Sequence, residues 1–224
     1  MKKVLVFLTL SLLCFGSRAQ DMVPSYDWAN FERYAASNET LRSSAPLAVI
    51  MGDSITDGWF DADPVFFTGN RIVGRGISGQ VTAQMLVRFR RDVLDLAPQY
   101  VVILGGINDI ARNLGYISLE NTLGNIASMC ELAVTHGILP VLNTLIPTEG
   151  FPWRKGLTGV PEQIHTFNQA LRTYARDNGF LLIDLAFLMA DENGVQKPSL
   201  TKDGVHPTLS GYKIMEEAVL QALK

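Results

Sequence analysis

The residues best equipped for chemistry in this chain lie far apart in sequence. Ser54 stands in Gly52-Asp53-Ser54-Ile55, where an apolar run ends. Asp203 and His206 share the segment Lys202-Asp203-Gly204-Val205-His206-Pro207 near the other end. A serine hydroxyl becomes a nucleophile when a neutral imidazole takes its proton, and a carboxylate on the second ring nitrogen holds that imidazole in the working tautomer. The chain offers three histidines for the task. His136 precedes Gly137 at the end of a helix pattern, an ordinary place for a cation, and His165 lies inside a helix-period stretch. His206 differs: Asp203 precedes it by three residues, and Pro207 biases it away from helical backbone. Each feature also has a plainer reading, Ser54 as a helix N-cap and His206 as an exposed loop residue.

Acyl transfer also needs donors for the charge that grows on the attacked oxygen. Two further turns supply candidates. Asn108 follows Gly105-Gly106-Ile107, and Gly79 sits in Gly76-Ile77-Ser78-Gly79-Gln80, where the missing side chain lets a ligand approach the main chain. Both also fit ordinary turns. Asp184, closing the run Phe180 to Asp184, competes with Asp203 as the orienting acid. Asp53 and Asp109 fit loop-organising hydrogen bonds, and Asp57, Asp61 and Asp63 fit a solvated acidic loop.

The elements that must position these groups follow from periodicity. Residues 46–52, 71–74, 100–106, 138–144 and 180–184 are nearly continuous in Val, Ile and Leu, as strands buried on both faces of a parallel sheet require. Helix-period segments lie between them. Val81, Met85, Phe89 and Val93 share one face; Ile126, Met129 and Ala133 another; Ile164, Phe167, Leu171 and Tyr174 a third, after Pro161. A closing helix runs from Leu209 to Leu223, and a further one is expected over Trp28 to Ala36. Alternation of strands and helices predicts a three-layer α/β/α sandwich around a central parallel sheet of about five strands, flavodoxin-like in plan. Reactive groups gather at the carboxyl ends of such strands.

Met1 to Ala19 carries Lys2, Lys3, an apolar core from Val4 to Phe15, and small residues at Ser17 and Ala19, the pattern of a secretory signal peptide. Cleavage after Ala19 leaves residues 20–224 as a single domain. Cys14 raises lipidation, but the preceding Leu13 is larger than such signals prefer, so no stable membrane anchor is expected. The full chain carries a net charge of −3, and the leader holds three basic and no acidic residues, so the remainder is more acidic still. With no basic block, neither nucleic acid nor an anionic membrane is an expected partner. Cys130 is the only cysteine after the leader, which excludes an internal disulfide and a thiolate metal cluster. No cluster of His, Cys, Asp or Glu suggests a metal, and the chemistry above needs no cofactor.

Taken together, "GDSITDGW", "GISGQ", "GGIND" and "DGVHP" resemble the four sequence blocks of the SGNH, or GDSL, hydrolases, in order and over residues 46 to 222. The usual α/β-hydrolase pentapeptide G-x-S-x-G is missing. The resemblance implies a serine esterase with Ser54 as nucleophile, His206 as base and Asp203 as its orienting acid. It also implies an oxyanion hole from the Ser54 N–H, Gly79 and Asn108. Gln80 stands where many members carry aspartate, which leaves Gly79 in place. Trp59 and Trp153 are candidate substrate-binding aromatics; Trp153 sits in a loop with Phe151, Arg154 and Lys155 that suits either a substrate wall or a lid. The expected partner is a small-molecule or glycan ester, with O-deacetylation of a glycan favoured for an exported enzyme. A lysophospholipid ester or a thioester is the alternative, as is a silent carbohydrate-binding module on the same fold.

Overall fold

The computed structural model describes residues 27–224; the expected signal peptide and Cys14 lie outside the described residues. After a 3-10 turn at Phe31–Tyr34, α1 (Ala35–Leu41) leads into β1 (Ala48–Gly52), α2 (Ser54–Ala62), α3 (Pro64–Gly69) and β2 (Ile72–Gly76). Next come α4 (Thr82–Asp92), β3 (Tyr100–Leu104), the single turn α5 (Ile107–Ile110), α6 (Leu119–Thr135) and β4 (Leu139–Asn143). The chain closes through α7 (Val160–Asn178), β5 (Leu181–Ile183), α8 (Leu185–Met189) and α9 (Leu209–Ala222). All four strand pairings are parallel, in the order β2-β1-β3-β4-β5. This is the expected fold, and β1 is where successive crossovers change direction, the position at which doubly wound sheets open a crevice.

Alternate residues of each strand feed two cores. Val49 and Met51 join Met85 and Phe89 of α4, Met129 of α6 and Phe167 of α7 on one side. Ala48 and Ile50 join Trp59 of α2, Phe67 of α3, Met189 of α8 and Tyr212 of α9 on the other. Strands covered on both faces have no solvent side to mark with polar residues, which accounts for their unbroken apolar runs.

Three expectations are corrected. The helix over Trp28 to Ala36 begins later, because Asn30 takes a left-handed conformation (φ 55°) and the Asp27 carboxylate accepts the Glu32 N–H, closing a turn first. The acidic stretch after Ser54 is not a solvated loop: Asp57 pairs with Arg33 from within α2, and Asp63 caps α3 and pairs with Lys213. Trp59 lines no cleft. It is 1% exposed, stacked between Phe66 and Tyr212, with its indole N–H on Glu216.

Candidate active site

Ser54 is the first residue of α2, two positions past the end of β1. Asp53 makes the sharp exit possible by accepting the Ile55 N–H on Oδ1 at 3.0 Å. Its carboxyl is fully buried, and that burial pushes its pKa up to about 7 against the opposing Ile55 hydrogen bond. Two glycines let the helix start against the sheet. A Cβ on Gly76 would lie 2.1 Å from the Asp57 nitrogen, and one on Gly52 would lie 2.1 Å from the Thr56 hydroxyl.

The structure brings His206 from 152 residues away onto this turn: Ser54 Oγ lies 2.9 Å from His206 Nε2. Behind the ring, Asp203 Oδ2 lies 2.8 Å from Nδ1. The three-residue spacing works because the loop is tightly folded. Asp203 Oδ1 accepts the N–H groups of Val205 (3.0 Å) and His206 (2.8 Å), while the Lys202 N–H reaches the His206 carbonyl at 2.8 Å. Partial burial works to raise the Asp203 pKa, but the backbone and ring N–H groups of His206 and the Val205 N–H outweigh it, so the carboxyl is held below its ordinary value. An ionised Asp203 accepts only, which makes Nδ1 the protonated nitrogen and leaves Nε2 free to accept from Ser54. Asp184, the rival acid, is engaged elsewhere, by Arg172 through Nε and Nη2 (both 2.9 Å) and by Thr144.

Strand register aligns the remaining candidates. Gly52 pairs with Gly76 on one side and Leu104 on the other. Ser54, Gly79 and Asn108 follow these partners by two, three and four residues, so three adjacent strands deliver them to one edge of the sheet. Gly79 has φ +80°, backbone that favours glycine. Asn108 is buried, its Nδ2 donating to the Gln80 carbonyl at 3.0 Å. Asp109 fastens the neighbouring segments by accepting the Thr82 N–H and hydroxyl at 2.9 and 2.6 Å. Arg88 is fully buried beneath, donating to the carbonyls of Gly52 and Arg75 and to the side chains of Gln80 and Asp92. It thereby ties the strand ends that carry Ser54 and Gly79.

Trp153 lies at the rim, 42% exposed, its ring 5.9 Å from that of His206 and 5.3 Å from Phe151, its indole N–H on Asn113 Oδ1 at 3.1 Å. The loop is thus both packed on the body and adjacent to the imidazole. Asn113 and Arg88 were not among the sequence candidates; an arginine within an amphipathic helix and an asparagine in a turn carry no signal of their own. Among the described residues no group of three or more His, Cys, Asp or Glu is placed to hold a metal, and no helix is long and apolar enough to cross a membrane.

Comparison with known proteins finds the same fold and the family. The crystal structure of a GDSL-like lipase from Bacteroides thetaiotaomicron is 42% identical, covers 87% of this chain and 97% of its own, and superposes with a TM-score of 0.83. An acetylxylan esterase of Geobacillus stearothermophilus is 25% identical over 166 residues, 69% of this chain and 73% of that protein. A lipoprotein of Bacillus subtilis is 38% identical over only 79 residues, 34% of this chain, which spans 32% of that relative. The model of the GDSL-like Lipase/Acylhydrolase family matches residues 50–214, from the strand before Ser54 to the helix after His206, and the chain belongs to that family.

Proposed function

We propose that this carboxylic ester hydrolase is an exported serine esterase that works through an acyl-enzyme, removing acetyl or another short acyl group from a glycan. The observation that carries the reading is the continuous Asp203–His206–Ser54 hydrogen-bonded line, with contacts of 2.8 and 2.9 Å. In this mechanism His206 Nε2 takes the Ser54 proton as Oγ attacks the ester carbonyl. Asp203 steadies the imidazolium. The same imidazolium protonates the departing alcohol, and His206 then activates the water that frees the acid. The Ser54 and Gly79 N–H groups and Asn108 Nδ2 receive the charge on the carbonyl oxygen. The signal-like N-terminal pattern supports export. For a glycan ester the support is the half-exposed Trp153 beside His206, an aromatic face suited to a sugar ring, together with the likeness to an acetylxylan esterase.

A fluorophosphonate probe tests the nucleophile. Wild-type protein is expected to be labelled covalently and Ser54→Ala not at all; equal labelling of both removes Ser54 from the mechanism. Acetate release from acetylated glycans, compared with p-nitrophenyl esters of rising chain length, tests the substrate, and a rate that climbs with chain length favours a lipid-like ester. Asn108→Ala is expected to lower kcat by about 100- to 1,000-fold, the usual cost of one oxyanion donor. Its loss of one buried and one partly buried hydrogen bond lowers Tm by on the order of 2–12 °C for a domain of this size. A wild-type kcat in that variant takes Asn108 out of the site.

A further inference from the structure

Asn113 joins Asn108 and Gly79 to Trp153, and its partners allow its amide only one orientation. The indole N–H of Trp153 donates and never accepts; it meets Asn113 Oδ1 at 3.1 Å. Asn113 Nδ2 is therefore the donating end, and it reaches Asn108 Oδ1 at 2.8 Å and the Gly79 carbonyl at 3.2 Å. Asn108 Nδ2 in turn donates to the Gln80 carbonyl at 3.0 Å, a group that only accepts. A chain that starts on an obligatory donor and ends on an obligatory acceptor has a single polarity, which fixes oxygen and nitrogen in both amides.

We propose that Asn113, set by Trp153, is a positioning residue that holds the Asn108 amide and Gly79 in the orientation an oxyanion hole requires. The inference rests on the esterase reading above. Without this grip Asn108 is held through its Nδ2 on the Gln80 carbonyl alone, and with Oδ1 released the amide plane can swing so that its second N–H no longer points at the growing negative charge. The loop is built to deliver Asn113 there. Arg112 adopts left-handed backbone (φ 56°), the Asn113 N–H closes back on the Asn108 carbonyl at 3.0 Å, and Arg154 Nη2 bonds the Arg112 carbonyl at 3.2 Å. Trp153 and Arg154 thus fasten the loop after β4 to the loop after β3 at consecutive positions on each. The state of the oxyanion hole is coupled to the seating of Trp153 beside His206.

Steady-state kinetics on p-nitrophenyl acetate test this. Asn113→Ala is expected to lower kcat about tenfold or more, part of what a whole donor is worth, with KM within about threefold. Asn113→Asp is nearest in shape yet sets oxygen against Asn108 Oδ1, so it is expected to be at least as damaging; a purely space-filling role would make it the milder change. In an Asn108→Ala background the Asn113→Ala step should cost less than about threefold, because the amide it orients is gone. Trp153→Phe keeps an aromatic ring at the rim but removes the indole N–H together with the five-membered ring that carries it, and it should lose about three- to tenfold in kcat as part of the same donor's worth. That variant decides the matter if Asn113 variants fail to fold. Wild-type kcat in Asn113→Ala or in Trp153→Phe, or full additivity with Asn108→Ala, overturns the proposal. If Ser54→Ala is inactive while Asn113→Ala is not impaired, the relay fails and the esterase reading stands; an active Ser54→Ala overturns both.

Discussion

His206→Gln is expected to lower kcat on p-nitrophenyl acetate by on the order of 10⁵- to 10⁶-fold, the scale seen when a triad base is removed from a serine hydrolase. Glutamine fills much of the imidazole's space beside Trp153 and can still accept a hydrogen bond from Ser54, so the change isolates basicity from packing. A carboxamide cannot hold a proton near neutral pH, and Ser54 Oγ then attacks as a neutral alcohol. What remains is the contribution of the oxyanion donors and of substrate binding, roughly 10³- to 10⁴-fold over water. Fluorophosphonate labelling should fall with kcat, since it draws on the same activated hydroxyl. His206 is 29% exposed on its side chain and lies outside both apolar cores, so Tm should move little beyond the loss of its bond to Asp203. A loss smaller than about a hundredfold would mean that another group receives the proton.

The contrast between what the sequence disclosed and what it hid has physical causes. The strands were legible because burial on both faces leaves an unbroken apolar run such as Ala48 to Met51. Their order was not, since either neighbour of β1 satisfies the same pattern and only the crossovers decide. The four chemical segments were legible because each sits at a strand end or just before the last helix, where glycine, aspartate and proline mark turns. Trp59 misled for the opposite reason. Five residues along a helix from Ser54, it points about 140° away, so closeness in sequence becomes opposition in space. Ser54 faces the sheet's carboxyl edge while Trp59 enters the core with Phe66 and Tyr212. The acidic residues misled similarly: Asp57 reaches the Ser78 N–H and hydroxyl at 3.1 and 2.7 Å, bracing the turn before Gly79. Asn113 was invisible because its importance is entirely relational.

Asp203→Asn is expected to lower kcat about 10⁴-fold with little loss of stability, by inverting a tautomer. The Asn Oδ1 can keep the Val205 and His206 N–H bonds now made at 3.0 and 2.8 Å, so the loop retains its shape. The other carboxylate oxygen, 2.8 Å from Nδ1, becomes an NH₂ that can only donate. The imidazole answers by presenting Nδ1 as acceptor and moving its proton to Nε2, which can then no longer take one from Ser54. Asp203→Ala would lose the orienting group and the loop bonds together, so its larger effect on Tm separates the two roles. Asp184→Asn serves as the control: its carboxylate is held by Arg172 and Thr144, and kcat should stay within about threefold of wild type because nothing of it reaches the reacting atoms. The wild-type carboxyl is held below its ordinary value of 3.8, so the stabilisation it gives the folded loop is complete above that value and is lost only as pH falls through the lowered one. Above about pH 5 Asp203 is therefore ionised, and the pH dependence of kcat in that range must come from another group. Near wild-type kcat in Asp203→Asn would leave the imidazole oriented by something other than this carboxylate, and the fold of residues 201–207 would then answer to stability alone.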